Sequence, residues 1–205
     1  NYAPMDIDTT DTAVLQYTGG TTGVPKGAML SHGALYINVL QGAGWADEIE
    51  FGAEKILAVL PFFHVFAMTG IMNLGIRIGA ELIMHPRFEL EAVMRDIAEK
   101  NPTFMSGVPT MFAAMNGHPD LKAFDLSSLK FCLSGGAPLP VEIRTQFEKS
   151  SGCSLAEGYG LTECSGVATI MPFKGLQKEG SIGLPVPGAR IVITDKDDPD
   201  KILPV

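Results

Sequence analysis

The run Ala13-Val14-Leu15-Gln16-Tyr17-Thr18-Gly19-Gly20-Thr21-Thr22-Gly23-Val24-Pro25-Lys26-Gly27 reads as an apolar strand that empties into a glycine-rich loop. From Thr18 to Gly27 the loop holds four glycines, three threonines and one lysine. Glycines let a ligand approach backbone N–H groups closely, the threonines add hydroxyl donors, and Lys26 adds a mobile cation; together these suit a polyphosphate. The common phosphate loop places Lys directly after Gly and follows it with a hydroxyl, whereas here Val24-Pro25 precedes Lys26 and Gly27 follows it.

The same unit recurs outward along the chain. Short apolar runs alternate with segments of helical period, the signature of an α/β fold with a mostly parallel sheet and flanking crossover helices. Strands are expected over 13–17, 56–60, 80–84, 103–106, 131–133 and 154–157, with a late one over 190–194. The clearest helix covers 90–100, where Leu90, Val93, Met94 and Ile97 share one face, and Asn101-Pro102 stops it. Ser31 caps a helix to about residue 46, another follows Pro109 over 110–115, and Pro140 opens one that reaches Lys149. In open parallel sheets, ligands bind beyond the carboxyl ends of the strands. Five unusual segments follow expected strands: residues 18–27, Pro61-Phe62-Phe63-His64, Gly107-Val108-Pro109-Thr110, Ser134-Gly135-Gly136-Ala137-Pro138 and Gly158-Tyr159-Gly160-Leu161-Thr162-Glu163. Five loops on one sheet edge define a candidate site.

Composition narrows the function. A chain of 205 residues that is 46% hydrophobic buries one substantial core. A formal charge of −8 disfavours a nucleic-acid partner, which usually calls for a basic face that releases counterions from phosphates. No apolar run reaches the ~20 residues a bilayer span requires, so no transmembrane segment is expected. Residues 1–11 lack the features of a signal peptide and the chain reads as starting mid-protein. Cys132, Cys153 and Cys164 have neither metal-site spacing nor paired histidines, which points to reduced thiols in a cytoplasmic protein. Peripheral contact at the inner membrane stays open.

The segment YTGGTTGVPKGAMLSH, followed in order by PFFHVF, SGGAPLP, EGYGLTE and GSIGLPVPG, resembles the successive motifs of the adenylate-forming (AMP-binding) superfamily. Their wording is most similar to bacterial long-chain fatty acid CoA ligases. The resemblance implies the central nucleotide-binding subdomain of the family's large N-terminal domain, running from the phosphate loop to just before the ribose-binding motif. By this reading residues 1–205 are a partial AMP-binding domain. The preceding region, a later ribose-binding Asp, the hinge and a C-terminal lid with a second catalytic Lys lie outside it, and the fragment is expected to fold without completing adenylation alone.

The resemblance also implies roles. Thr18, Gly19, Gly20, Thr21, Thr22, Gly23 and Lys26 would wrap the β- and γ-phosphates of ATP. Gly135, Gly136 and Ala137 would wall the adenine slot, with Tyr159 stacking from the other side. Glu157, Gly158 and Gly160 would line the nucleotide site, and Thr162 would bond the α-phosphate. Thr18 and Glu163 would hold Mg²⁺. His64, which among Phe62, Phe63 and Phe66 would on composition alone read as a core histidine, would orient the carboxylate; that group is already ionised at neutral pH, so no proton transfer is needed. Lys26, His64, Thr162 and Glu163 form the expected catalytic set. His32, His85 and His118 are given no role. The apolar candidates for the acyl chain are Phe63, Val65, Met68, Gly107, Val108 and Val167, together with His64.

The implied reaction joins a carboxylic acid to AMP with release of pyrophosphate, then passes the acyl group to the thiol of coenzyme A. A medium-chain or aryl acid, or a nucleotide-binding module without catalysis, remains as an alternative. An amino-acid substrate is disfavoured because the acyl segments carry no acidic partner for an ammonium group. A dinucleotide-binding oxidoreductase is disfavoured by the absence of G-x-G-x-x-G.

Overall fold

The structure, a computed structural model, describes residues 5–18 and 25–204. Gly19, Gly20, Thr21, Thr22 and Gly23 of the expected phosphate loop lie outside the described residues.

A seven-stranded sheet organises the chain, in the order β4-β3-β5-β6-β7-β8-β9. β3 (Lys55–Ala58), β4 (Glu81–Met84), β5 (Phe104–Gly107), β6 (Phe131–Ser134) and β7 (Ser154–Leu161) pair in parallel. β8 (Gly166–Ile170) and β9 (Leu184–Pro185) extend it antiparallel. The central strands β5 and β6 are buried along their whole length, as expected of parallel strands covered on both faces. Their core includes Ile56, Leu57, Met105, Cys132 and Leu155, all without solvent exposure.

Helices form where the periodicity places them. Ser31 Oγ accepts the Ala34 amide at 3.2 Å and starts α1 (His32–Trp45). Two short helices follow, α2 (Val65–Ala67) and, after a π-helical turn over Met68–Asn73, α3 (Leu74–Ile78). α4 (Leu90–Lys100) buries Val93, Met94 and Ile97 and stops at Asn101, whose φ of 54° is left-handed. α5 (Pro109–Asn116) has its proline in the first turn. α6 (Val141–Ser151) ends at Gly152 with φ 77°. α1 packs on α3 and β8, while α4, α5 and α6 form a second packed row.

Three expectations are corrected. The strand over 13–17 exists as β1 (Thr12–Thr18), but among the described residues it pairs only with β2 (Lys26–Ser31), in a separate antiparallel ribbon. Its burial alternates, so just one face is covered, which suits a ribbon lying on the body and not a central parallel strand. Lys26 therefore opens a strand. Second, no strand forms over 190–194: Ile191, Val192 and Ile193 stay exposed, and only Thr194 bridges to Ile202. Third, Gly158 to Leu161 is not a loop beyond β7 but its second half, paired with β8. Glycine makes that pairing possible, since a Cβ on Gly160 would stand 1.9 Å from the Gly166 carbonyl oxygen.

Candidate active site

Beyond the carboxyl end of β6 and along the second half of β7 lies an open cleft of about 320 Å³. It is lined by Thr18, His64, Val65, Gly135, Gly136, Gly158, Tyr159, Gly160, Thr162, Glu163 and Val167, with Phe66, Leu133, Leu161 and Gly166. The ribbon, α2, the loop after β6, and the β7–β8 turn thus converge on one space. β2 also packs against the 3₁₀ turn Thr162–Cys164, which brings the Lys26 strand alongside the Thr162-Glu163 pair.

Glycine shapes one wall. Gly135 is buried, and a Cβ there would meet the Phe66 ring at 3.1 Å and the Gly158 carbonyl oxygen at 3.3 Å. Gly136 has φ 80°, a left-handed turn that an L side chain would strain. Tyr159, 42% exposed, stands on the same cleft. Its ring and the side-chain-free stretch at 135–136 can flank a flat group.

His64 starts α2, with Nδ1 accepting the Phe66 amide at 3.3 Å. That bond places the proton of the neutral ring on Nε2, which is free to donate to an anionic oxygen in the cleft. Glu163 and Lys26 are both exposed; Glu163 lines the cleft, whereas Lys26, at the start of β2, stands outside its lining.

Other candidates fall elsewhere. Phe63 is 80% exposed and lines a different groove with Leu60, Met84 and His85. Met68 packs with Leu30, Leu35 and Val65 under the ribbon. Gly107 ends β5 in the core against Phe112, and Val108 abuts the loop at Gly136 without lining the cleft. Ala137 is exposed beside the cleft, outside its lining. Glu157 alternates with Gly158 along β7 and faces away; burial pushes its carboxyl above the usual range, moderated by the Leu139 amide and by Arg144 of α6.

The sequence reading missed the residues that fix the β7–β8 turn. Asn38 on α1, 4% exposed, donates from Nδ2 to the Val167 carbonyl at 2.7 Å and accepts the Val167 amide on Oδ1 at 3.0 Å. Thr69 donates to the Ser165 carbonyl at 2.8 Å. Ser165, with φ 67°, and Gly166, with φ 144°, make the reversal that presents Thr162 and Glu163. A buried Asn in a helix otherwise apolar on that side was the available signal.

Beneath the cleft lies a small apolar cavity of about 50 Å³, lined by residues that include Val39, Leu74, Phe104, Phe131, Ile170 and Phe173. It shares Phe66, Leu133, Gly166 and Val167 with the cleft. A mouth with polar groups over an apolar floor can take a charged head together with the first few carbons of an uncharged tail.

Glycine-rich walls, a histidine and a Thr-Glu pair thus gather at the strand ends of a mostly parallel sheet, and the family model of the AMP-binding enzymes matches residues 1–202. The chain belongs to that family. It is 46% identical over 187 residues to a long-chain-fatty-acid–CoA ligase of Bacillus subtilis, covering 91% of this chain and 33% of that protein. MatB from Rhodopseudomonas palustris, solved with ATP bound, superposes with a TM-score of 0.87 at 27% identity, over 100% of this chain and 39% of its own. A long-chain-fatty-acid-CoA ligase (FadD1) from Archaeoglobus fulgidus gives 0.88 at 26%, over 100% and 42%. The chain spans about a third of the length of the curated relatives it matches. Among the described residues, no helix is long and apolar enough to cross a membrane.

Proposed function

We propose that this chain is the nucleotide-binding part of an AMP-forming acyl-CoA ligase acting on a long-chain fatty acid. The observation that carries the reading is the junction of cleft and cavity at Phe66, Leu133, Gly166 and Val167. A carboxylate held at that junction has phosphate-binding groups on one side and apolar side chains on the other.

In this reading the acid and ATP meet in the cleft. The carboxylate must approach an α-phosphorus ringed by negative oxygens, so the task of the protein is to neutralise charge and hold the partners in line. Lys26 and the 18–27 loop, Gly19 to Gly23 included, hold the β- and γ-phosphates; Thr162 donates to the α-phosphate. His64 Nε2–H orients the carboxylate and moves no proton. Gly135, Gly136, Ala137 and Tyr159 flank adenine, with Glu157, Gly158 and Gly160 nearby. Val65 and Val167 line the acyl path. Coenzyme A is the acceptor of the acyl group.

The family implies Mg²⁺, and the donors present fit it. Thr18 and Glu163 offer a hydroxyl and a carboxylate to one cleft. Among the described residues no group of three His, Cys, Asp or Glu is placed to hold a metal alone. Mg²⁺ characteristically takes one or two protein oxygens and completes its shell with phosphates and water. When bound, it supplies positive charge to the triphosphate.

The test is pyrophosphate release by the full-length enzyme with Mg²⁺ and ATP across acetate, medium-chain, long-chain, aryl and amino acids. Release that peaks with long chains, followed by CoA thioester formation, is expected. A peak with aryl or amino acids overturns the substrate, and no acid-dependent release overturns the enzyme reading.

A further inference from the structure

We propose that Cys132 and Cys153 form an oxidisable dithiol, a modification site at which hydrogen peroxide closes a disulfide between β6 and the entry to β7. Both thiols are free and buried, and their Sγ atoms lie 3.8 Å apart. The sheet register explains the meeting: Cys132 stands opposite Leu155, and Cys153, two residues before Leu155, shares its face. Reaching the ~2.05 Å of a disulfide takes roughly 1.8 Å of movement. Cys153 can supply that movement, because it precedes the first residue of β7 and follows Gly152, an exposed residue at φ 77°.

The two sulfurs are unequal. Ser151 Oγ lies 3.1 Å from Cys153 Sγ, and Ser151 Oγ accepts the Cys153 amide at 3.3 Å. Hydrogen bonding from Cys132 and Ser151 draws the Cys153 thiol below its ordinary range, while burial pushes the Cys132 thiol well up. Cys153, 4% exposed at the entry to β7 where Cys132 has no exposure at all, is the sulfur that peroxide reaches first, and Cys132 is the resolving thiol. Cys153 sulfur attacks one peroxide oxygen; the O–O bond breaks, and the departing hydroxide takes a proton to become water. Cys132 sulfur then attacks the sulfenic sulfur, the S–O bond breaks, and the hydroxide leaves with the Cys132 proton as a second water. Two thiols lose two electrons in all, and one peroxide gains them.

The experiment oxidises the folded full-length enzyme with hydrogen peroxide, then unfolds it in an alkylating reagent and maps its peptides by mass. The expected result is loss of both Cys132 and Cys153 from the alkylated pool and a linked peptide pair two hydrogens lighter, reversed by dithiothreitol. A Cys164→Ser variant keeps the link, since the exposed Cys164 takes no part, and Cys153→Ser abolishes it. Full alkylation of Cys132 and Cys153, oxidation confined to Cys164, or sulfinic acid at Cys153 without a link overturns the proposal, even if Cys153→Ser fails to fold.

Discussion

Asn38 and Val167 exchange two hydrogen bonds, one in each direction, so that a side-chain amide on α1 completes the backbone ladder at the start of β8. The pair is 129 residues apart in sequence. It joins a helix to the turn that presents Thr162 and Glu163, and the Thr69 bond to Ser165 fixes the same turn from a second direction. Replacing Asn38 with Ala leaves the carbonyl and amide of half-buried Val167 without these partners, which costs about 2 kcal/mol. The expected outcome in the full-length enzyme is a lower urea midpoint together with at least a tenfold fall in kcat/KM for ATP. Thr69→Val, which removes one bond, costs about 1 kcal/mol. Unchanged kinetics in both variants, despite lost stability, would separate the turn from catalysis.

Gly160 and Gly135 make opposite predictions although both line the cleft. A Cβ on Gly160 meets backbone at 1.9 Å, and backbone cannot step aside without breaking the β7–β8 ladder. A Cβ on Gly135 meets mainly the edge of the Phe66 ring at 3.1 Å, which can shift by tenths of an ångström. Gly160→Ala is expected to cost about 2–4 kcal/mol, in the upper range for single substitutions. Gly135→Ala should cost under about 1 kcal/mol yet raise the KM for ATP several-fold if residues 135–136 form the proposed adenine wall. Denaturation and ATP titration of the two variants check the contrast.

Glu54 gives the fold an acid-sensitive point far from the cleft. Its side chain is 1% exposed and receives Thr103 Oγ1, the Glu50 amide at 2.9 Å and Lys130 Nζ at 3.1 Å. Burial by itself would raise its carboxyl, but these three partners outweigh it and hold the group below its ordinary value of 4.5. A depressed folded-state pKa contributes stability above the unfolded value and loses it as pH falls through the folded one. Glu54→Gln should therefore lose stability at neutral pH, by about 2 kcal/mol, and show a smaller further loss between neutrality and acid below 4.5. Urea midpoints across that range measure it; parallel curves for both proteins would sink the assignment. Lys130 is raised, with its own burial opposed by Glu54 and Glu50, so its part persists until strongly alkaline pH.

Much of this was legible in the sequence because local rules and global fold agree. The period of Leu90 to Lys100, the Ser31 cap and the Pro109 start each became the expected helix. The sheet core followed from continuous apolar runs such as Phe131 to Leu133. What escaped depends on pairing. Ala13 to Tyr17 looks like any strand, and nothing local says that its partner is Lys26 to Ser31 and not a strand of the main sheet. Ile191 to Ile193 is apolar enough for a strand but finds only the Thr194–Ile202 bridge beside it. Phe63 belongs to the right motif and points to another groove, because residues one apart around a turn diverge. Asn38 carried a signal only as a polar residue on a buried face.

Glu163 offers the cleanest separation of chemistry from stability. It is exposed, takes part in no ion pair among the described residues, and lines the cleft with Thr18. Glu163→Gln keeps the shape and removes one negative oxygen donor, so the thermal midpoint should move by no more than about 0.5 kcal/mol equivalent. If its carboxylate shares a magnesium ion with the triphosphate, pyrophosphate release should fall by about 10²-fold or more, the scale of losing one preorganised charge-stabilising group. The Mg²⁺ concentration needed for half-maximal rate should rise as well, which distinguishes a metal ligand from a residue that only shapes the turn. Lys26→Ala is the companion measurement: it should lower release to a similar degree without altering the Mg²⁺ requirement, because its proposed role is to bind phosphate directly. An identical Mg²⁺ dependence in wild type and Glu163→Gln would remove the metal role and leave Glu163 as a surface carboxylate beside a turn.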